Sequence, residues 1–149
     1  MSNSYNAPNN GEPGEGVIRI VAALVRDSTG RVLLVRKRGT KAFMQPGGKL
    51  QDSESHLSAL GRELSEELDS SMEPASAVYL GTFTAPAANE KGCVVEAALY
   101  SVKLTAAVRT SSEIDEIIWL PPDPPYSVTL APLTRDEVLP LAMQMGNLE

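Results

Sequence analysis

Glu54, Glu63, Glu66 and Glu67 stand behind a pair of glycines in one stretch of this chain. Gly47-Gly48-Lys49-Leu50-Gln51-Asp52-Ser53-Glu54 is followed, after seven further residues, by Arg62-Glu63-Leu64-Ser65-Glu66-Glu67-Leu68-Asp69. As a stability device these acids are poor: like charges at i,i+3 and i,i+4 cost about 0.2–0.5 kcal/mol each, and acids in the last turns of a helix oppose its macrodipole. The missing partner is positive. A hard divalent cation such as Mg2+, with Mn2+ as its substitute, takes oxygen ligands from one or two carboxylates together with water and phosphate oxygens. Glycines, having no Cβ, let a backbone carbonyl approach such an ion closely. Attack of water on a phosphoanhydride needs what this group can supply: neutralised charge on the bridging and leaving oxygens, an oriented water, and a base.

A helix must position these residues. At about 100° per residue, Leu57, Leu60 and Leu68 fall within roughly 40° of Leu64, forming a narrow apolar stripe. On the same wheel Glu63, Glu67 and Glu66 lie roughly 100°, 60° and 160° to one side, so three carboxylates border the buried face. The spacing predicts a helix over residues 56–68 with Ser55 as N-cap. Gly61, mid-helix, costs about 1 kcal/mol against Ala; its place beside the stripe points to close contact with a sheet.

The pattern Gly48-x5-Glu54-x7-Arg62-Glu63-Leu64-x-Glu66-Glu67 arises by chance in on the order of one chain per million at average residue frequencies. It resembles the signature box of the Nudix hydrolases. The family's closing glycine and apolar residue are replaced by Asp69 and Ser70. That glycine would be a helix C-terminal cap, and Asp tolerates the left-handed conformation better than most residues.

The resemblance implies an α/β/α sandwich with a mixed β-sheet and magnesium-dependent hydrolysis of a nucleoside diphosphate linked to another group. Substrates of the nucleoside triphosphate, oxidised nucleotide and ADP-ribose types are all compatible with it. By the same resemblance Glu66 and Glu67 are the main metal ligands, Glu63 a further ligand or the base, the Gly47 carbonyl completes the shell, and Glu54 serves a second metal. Arg62 orients Glu63 or Glu66 by a charge-assisted hydrogen bond. An acid outside the box can act as base; Glu113 is the candidate, with Glu116, Glu96 and Glu90 as competitors. The family often carries a basic residue at the end of the preceding strand and an aromatic residue three positions before Pro-Gly-Gly, which here are Arg36 and Phe43. In a chain this acidic, the basic cluster Arg36, Lys37, Arg38 and Lys41 just ahead of the glycine turn is a candidate place for substrate phosphates, with Arg36 and Arg38 the better bidentate partners, and Pro86 matches the placement of a proline in ADP-ribose-cleaving members. Gln45 stands where the family usually has an apolar residue, implying a more polar pocket floor. The resemblance also leaves open a homodimer and, as the alternative function, a catalytically silent nucleotide-binding or regulatory domain.

The rest of the chain bounds these readings. With 149 residues, 42% of them hydrophobic, the chain is long enough for one domain with its own core. A net charge of −6 argues against a nucleic-acid groove. A single cysteine, Cys93, permits no intramolecular disulfide and reads as a small buried hydrophobe in a strand. Without a secretory segment or a bilayer-length apolar run, the expected address is the cytoplasm and no membrane partner is expected.

Residues 1–16 read as a disordered arm and 17–149 as a single domain. Residues 17–25 predict a strand covered on both faces, which a turn at 27–30 joins to a strand at 31–36 as a hairpin. Further strands are expected at 77–84, 93–104 and 117–120, with loops at 70–76 and 86–92. Trp119 is expected in the core and His56 at the surface. Residues 121–125 form a stiff connector. Thr134 and Glu137 match a capping box for a last helix over 135–145, kinked at Pro140.

Overall fold

The computed structural model describes residues 16–146. The expected arm and the last three residues of the expected domain therefore lie outside the described residues, apart from Gly16, which opens the first strand. The elements are β1 (Gly16–Leu24), β2 (Val32–Lys37), β3 (Phe43–Met44), β4 (Gly47–Lys49), α1 (His56–Leu68), β5 (Val78–Pro86), β6 (Cys93–Ser101), β7 (Ile114–Leu120) and α2 (Leu139–Gly146). A mixed sheet in the order β4-β1-β6-β5 and an antiparallel sheet in the order β3-β2-β7 form the middle layer.

Alternation along the central strands divides the core in two. Val21, Ala23 and Val25 with Leu33 and Val35 pack on Ala59, Leu60, Leu64 and Leu68 of α1. Ala22 and Leu24 with Val32 and Leu34 pack on Val138, Leu139 and Ala142 around α2. One helix thus covers each side, giving the expected α/β/α sandwich. Only the second half of β1 is covered on both faces, however; Val17 is 53% exposed.

The expected hairpin is corrected. Arg26 and Val32 bridge, and the Leu33 amide donates to the Val25 carbonyl at 2.9 Å, but the strands then part. A strand has two edges, and those of β1 are taken by β6 over nine paired residues and by β4, so β2 pairs with β3 and β7 instead. The glycine turn is also more than a turn: Gly47 and Gly48 lie in β4, paired with Ala22 and Val21. A Cβ on Gly47 would collide with the Val21 carbonyl oxygen, and Gly47 has φ +151.

α1 has the expected bounds. Ser55 accepts a hydrogen bond from the Ser58 amide at 3.1 Å, and Asp69 closes the helix in the left-handed region at φ 51, ψ 42, its amide donating to the Leu64 and Ser65 carbonyls. Two expectations fail here. Leu57, in the first turn, is 36% exposed, the buried flank being carried by Ala59, Leu60, Leu64, Glu67 and Leu68. Gly61 touches no sheet, since a Cβ there would meet nothing within 4 Å.

Near the end of the chain the capping box is not formed. Thr134 is fully buried inside a π-helical turn, Thr134–Val138, whose closing bond runs from the Leu139 amide to the Thr134 carbonyl. Pro140 has no amide to continue α-type bonding and its ring crowds the carbonyl four residues back, which accounts for the widened turn ahead of it.

β5 and β7 each extend beyond their expected strands, at Pro86 and Ile114 respectively, and β6 is shorter, ending at Ser101. Pro74–Ser76 forms a short 3-10 turn within the expected loop. Cys93 is in its strand but only half-buried. Trp119 is half-buried against the core beneath α1.

Candidate active site

Helix α1 lies beside β4, and this contact assembles the site. Glu67 is 1% exposed. One of its carboxylate oxygens accepts from the Gly47 amide at 3.2 Å, and the other stands 3.6 Å from Lys37 Nζ. Glu63 packs so closely on Gly48 that a Cβ there would collide with its carboxylate. The glycine pair therefore has a double reason: Gly47 lets β4 approach β1, and Gly48 leaves room for Glu63.

Arg62 ties the remaining acids together. Its Nε and Nη2 donate to the two oxygens of Glu54 at 3.0 and 2.9 Å, Nη1 donates to Glu63 at 2.7 Å, and Nη2 reaches the Lys49 carbonyl at 3.3 Å. Glu66 lies 3.9 Å from the same guanidinium and is about half exposed. Arg62 thus holds Glu63, one of its two expected partners, and takes Glu54 as its bidentate partner.

The electrostatics follow from burial. Desolvation pushes the Glu67 carboxyl up to about 7; the Lys37 charge and the Gly47 amide oppose the rise, and the Glu63 and Glu113 charges add to it. Burial also raises Glu63, against the hydrogen bond and charge of Arg62. Glu54 is held below the usual carboxylate range, chiefly by its hydrogen bond from Arg62.

Among the described residues no three His, Cys, Asp or Glu side chains form a ready metal cage; Arg62 and Lys37 supply the nearby positive charge. The donor set still fits a hard divalent cation, because every available ligand is oxygen and because buried Glu67 beside Glu63 has an excess of negative charge.

The other expected site residues divide. Glu113 is exposed, close enough to raise Glu67, and fixed through its backbone carbonyl, which accepts from the Arg38 amide at 2.8 Å. Its competitors are each paired with a cation: Glu90 with Lys49, both lining the small cavity described below, Glu96 with Arg19 and Glu116 with Arg36. Arg36 is held by Glu116 at 3.2 Å, Asp115 at 3.5 Å and the Thr40 carbonyl at 2.9 Å, with its guanidinium over Phe43. Phe43 is 5% exposed in the core on the α2 side. Arg38 is exposed. His56 is not a free surface group, since its Nδ1 lies 2.9 Å from the Tyr100 hydroxyl.

A cavity of about 120 Å³ adjoins the carboxylates; Lys37, Gly47, Gly48 and Pro86 are among its lining residues. A broader groove of about 1400 Å³ lies around Asp27, Val102, Trp119 and Met143, away from the acids. Lys37 belongs to the basic cluster the sequence offers for phosphates, where Arg36 and Arg38 are preferred to it. The available signal was alternation: Leu33 and Val35 face α1, so the next odd position, not Arg36, is the one directed at that helix.

A family model described as NUDIX domain matches residues 17–141. Among solved structures, a MutT NUDIX hydrolase from Burkholderia pseudomallei superposes with TM-score 0.65 at 21% identity, covering 86% of this chain and 96% of that one. A MutT protein from Methanosarcina mazei Go1 gives 0.64 at 24% identity, covering 89% and 96%. An ADP-ribose pyrophosphatase from Streptococcus suis gives 0.64 at 16% identity, covering 87% and 91%. A search of curated proteins finds no significant match.

Proposed function

The chain belongs to the Nudix family of hydrolases, and from that premise we propose that it is a Mg2+-dependent pyrophosphohydrolase. Its substrate would be a nucleoside diphosphate linked to another group, cleaved by attack of water on phosphorus to give a nucleoside monophosphate and the remaining phosphorylated half. The observation that carries this reading is the enclosure of Glu67 between the Gly47 amide and Lys37, beside Glu63 on Gly48, where Lys37, Gly47 and Gly48 also line a cavity. Acids crowded there without a catalytic role would only weaken the fold.

Glu63, Glu66 and Glu67, with Glu54 and the Gly47 carbonyl, would hold Mg2+ or Mn2+. Bound there, such an ion offsets the charge that builds on the bridging and leaving oxygens. Arg62 orients Glu54 and Glu63. Lys37 holds a phosphate at the cavity mouth, with Arg38 as the next cation along the chain. Arg36 braces β2 against β7, with Phe43 beneath it. Glu113 takes the proton of the attacking water, its exposure leaving it able to reach solvent. Pro86 forms part of the wall of the small cavity that takes the part of the substrate beyond its phosphates.

The test is product release from ADP-ribose, dinucleoside polyphosphates and nucleoside triphosphates, first with Mg2+ and then with EDTA. ADP-ribose belongs on the panel because Pro86 lines the cavity and one structural relative is an ADP-ribose pyrophosphatase. Release that EDTA abolishes is the expected result. Nucleotide binding without release would favour the silent binding domain, a reading supported by the engagement of Glu54 and Glu63 with Arg62.

A further inference from the structure

We propose that Gln45, held by Thr134, reads the group seated in the small cavity, and that this group is a nucleobase with a carbonyl oxygen at purine C6 or pyrimidine C4. The inference rests on the nucleotide reading above and adds a substrate preference to it. The cavity shares Lys37, Gly47 and Gly48 with the carboxylate site, so a molecule with its phosphates at Lys37 has its neighbouring group within the cavity. Ile18, Ile20, Val95 and Leu133 contribute to the lining, which suits a flat apolar face better than a sugar.

Gln45 and Thr134 supply buried polar groups to this lining; Lys37, Lys49, Asn89 and Glu90 also contribute to it, Glu90 being paired with Lys49 at 3.3 Å. Gln45 and Thr134 are 5% and 0% exposed, respectively. Thr134 Oγ1 donates to Gln45 Oε1, which occupies the carbonyl end of the amide. Among the described residues none accepts from Gln45 Nε2. A buried amide with unsatisfied donors carries a desolvation cost that a ligand acceptor removes.

The base edges differ in what they offer to those donors. Guanine O6 and uracil or thymine O4 accept, whereas adenine N6 and cytosine N4 donate. An amino base would set donor against donor and leave both unpaired, so the site discriminates by rejection as well as attraction.

The experiment uses the full chain and has two parts. Calorimetry without added metal measures binding of UMP against CMP and GMP against AMP; turnover with Mg2+ compares UTP with CTP and GTP with ATP. UMP is expected to bind at least about tenfold more tightly than CMP, and GMP than AMP. Gln45→Leu, similar in volume but apolar, should erase that ratio by weakening UMP and GMP, and Thr134→Val should narrow it; circular dichroism checks both folds. Equal binding of the two members of each pair by the wild type, or no binding of any, overturns the proposal without recourse to a variant. Turnover without preference leaves the hydrolase standing and removes this inference. Preference in binding without Mg2+-dependent turnover does the reverse.

Discussion

A carboxylate as enclosed as Glu67, at 1% exposure, is stable in its charged form only if something positive remains near it. Lys37 provides part of that charge at 3.6 Å. Glu67→Gln keeps the shape and removes the charge, so turnover should fall by at least about a hundredfold while the circular dichroism spectrum is unchanged. Wild-type activity in that variant would remove Glu67 from the mechanism. Arg36 presents the opposite case, a cation already satisfied by Asp115, Glu116 and the Thr40 carbonyl. Arg36→Ala should lower stability by about 1 kcal/mol or less, because its acidic partners are largely solvated, with KM within about twofold of wild type. A rise in KM exceeding the loss in kcat would return Arg36 to phosphate binding.

At the scale of elements, α1 and β4 function as a pair, and glycine plays different parts in them. Gly61 has open space where a Cβ would be, so Gly61→Ala should stabilise the protein by about 1 kcal/mol with turnover unchanged, read as a raised Tm. Gly48→Ala would drive a methyl group into the Glu63 carboxylate. That carboxylate is the end of a flexible side chain and can move aside, so the fold should survive while turnover drops by about a hundredfold, the scale of a displacement of about 1 Å at a reacting centre. A Gly48→Ala enzyme with full turnover would show that the placement of Glu63 is not critical.

For the whole molecule, the enclosed acid links stability to pH. Burial raises the folded-state pKa of Glu67 from the ordinary carboxylate value of 4.5 to about 7, so between these values the folded chain binds more protons than the unfolded one. Stability is therefore greatest below the lower value and is lost as pH rises through the upper one, by up to about 3 kcal/mol. Urea denaturation with EDTA present should show this decline from pH 4.5 to 7, and Glu67→Gln should flatten it. A wild-type curve rising across that window would contradict the burial of an ionisable Glu67.

The local parts of this architecture were legible because they depend on neighbours in the chain. The bounds of α1, its Ser55 cap, the left-handed Asp69 and the carboxylates beside the apolar flank all follow from helical period and capping chemistry, which act within a few residues. Sequence could not reveal which edge of β1 goes to which partner, because pairing with Cys93–Ser101 competes with a nearby hairpin and wins through contacts far along the chain. For the same reason Gly61 looked like a contact point and Thr134 looked like a cap, and the acidic partners of Arg36 were not visible. Space around a side chain, the partner that satisfies a charge and the burial of a hydroxyl against Gln45 are set by elements distant in sequence, and only the tertiary structure decided them.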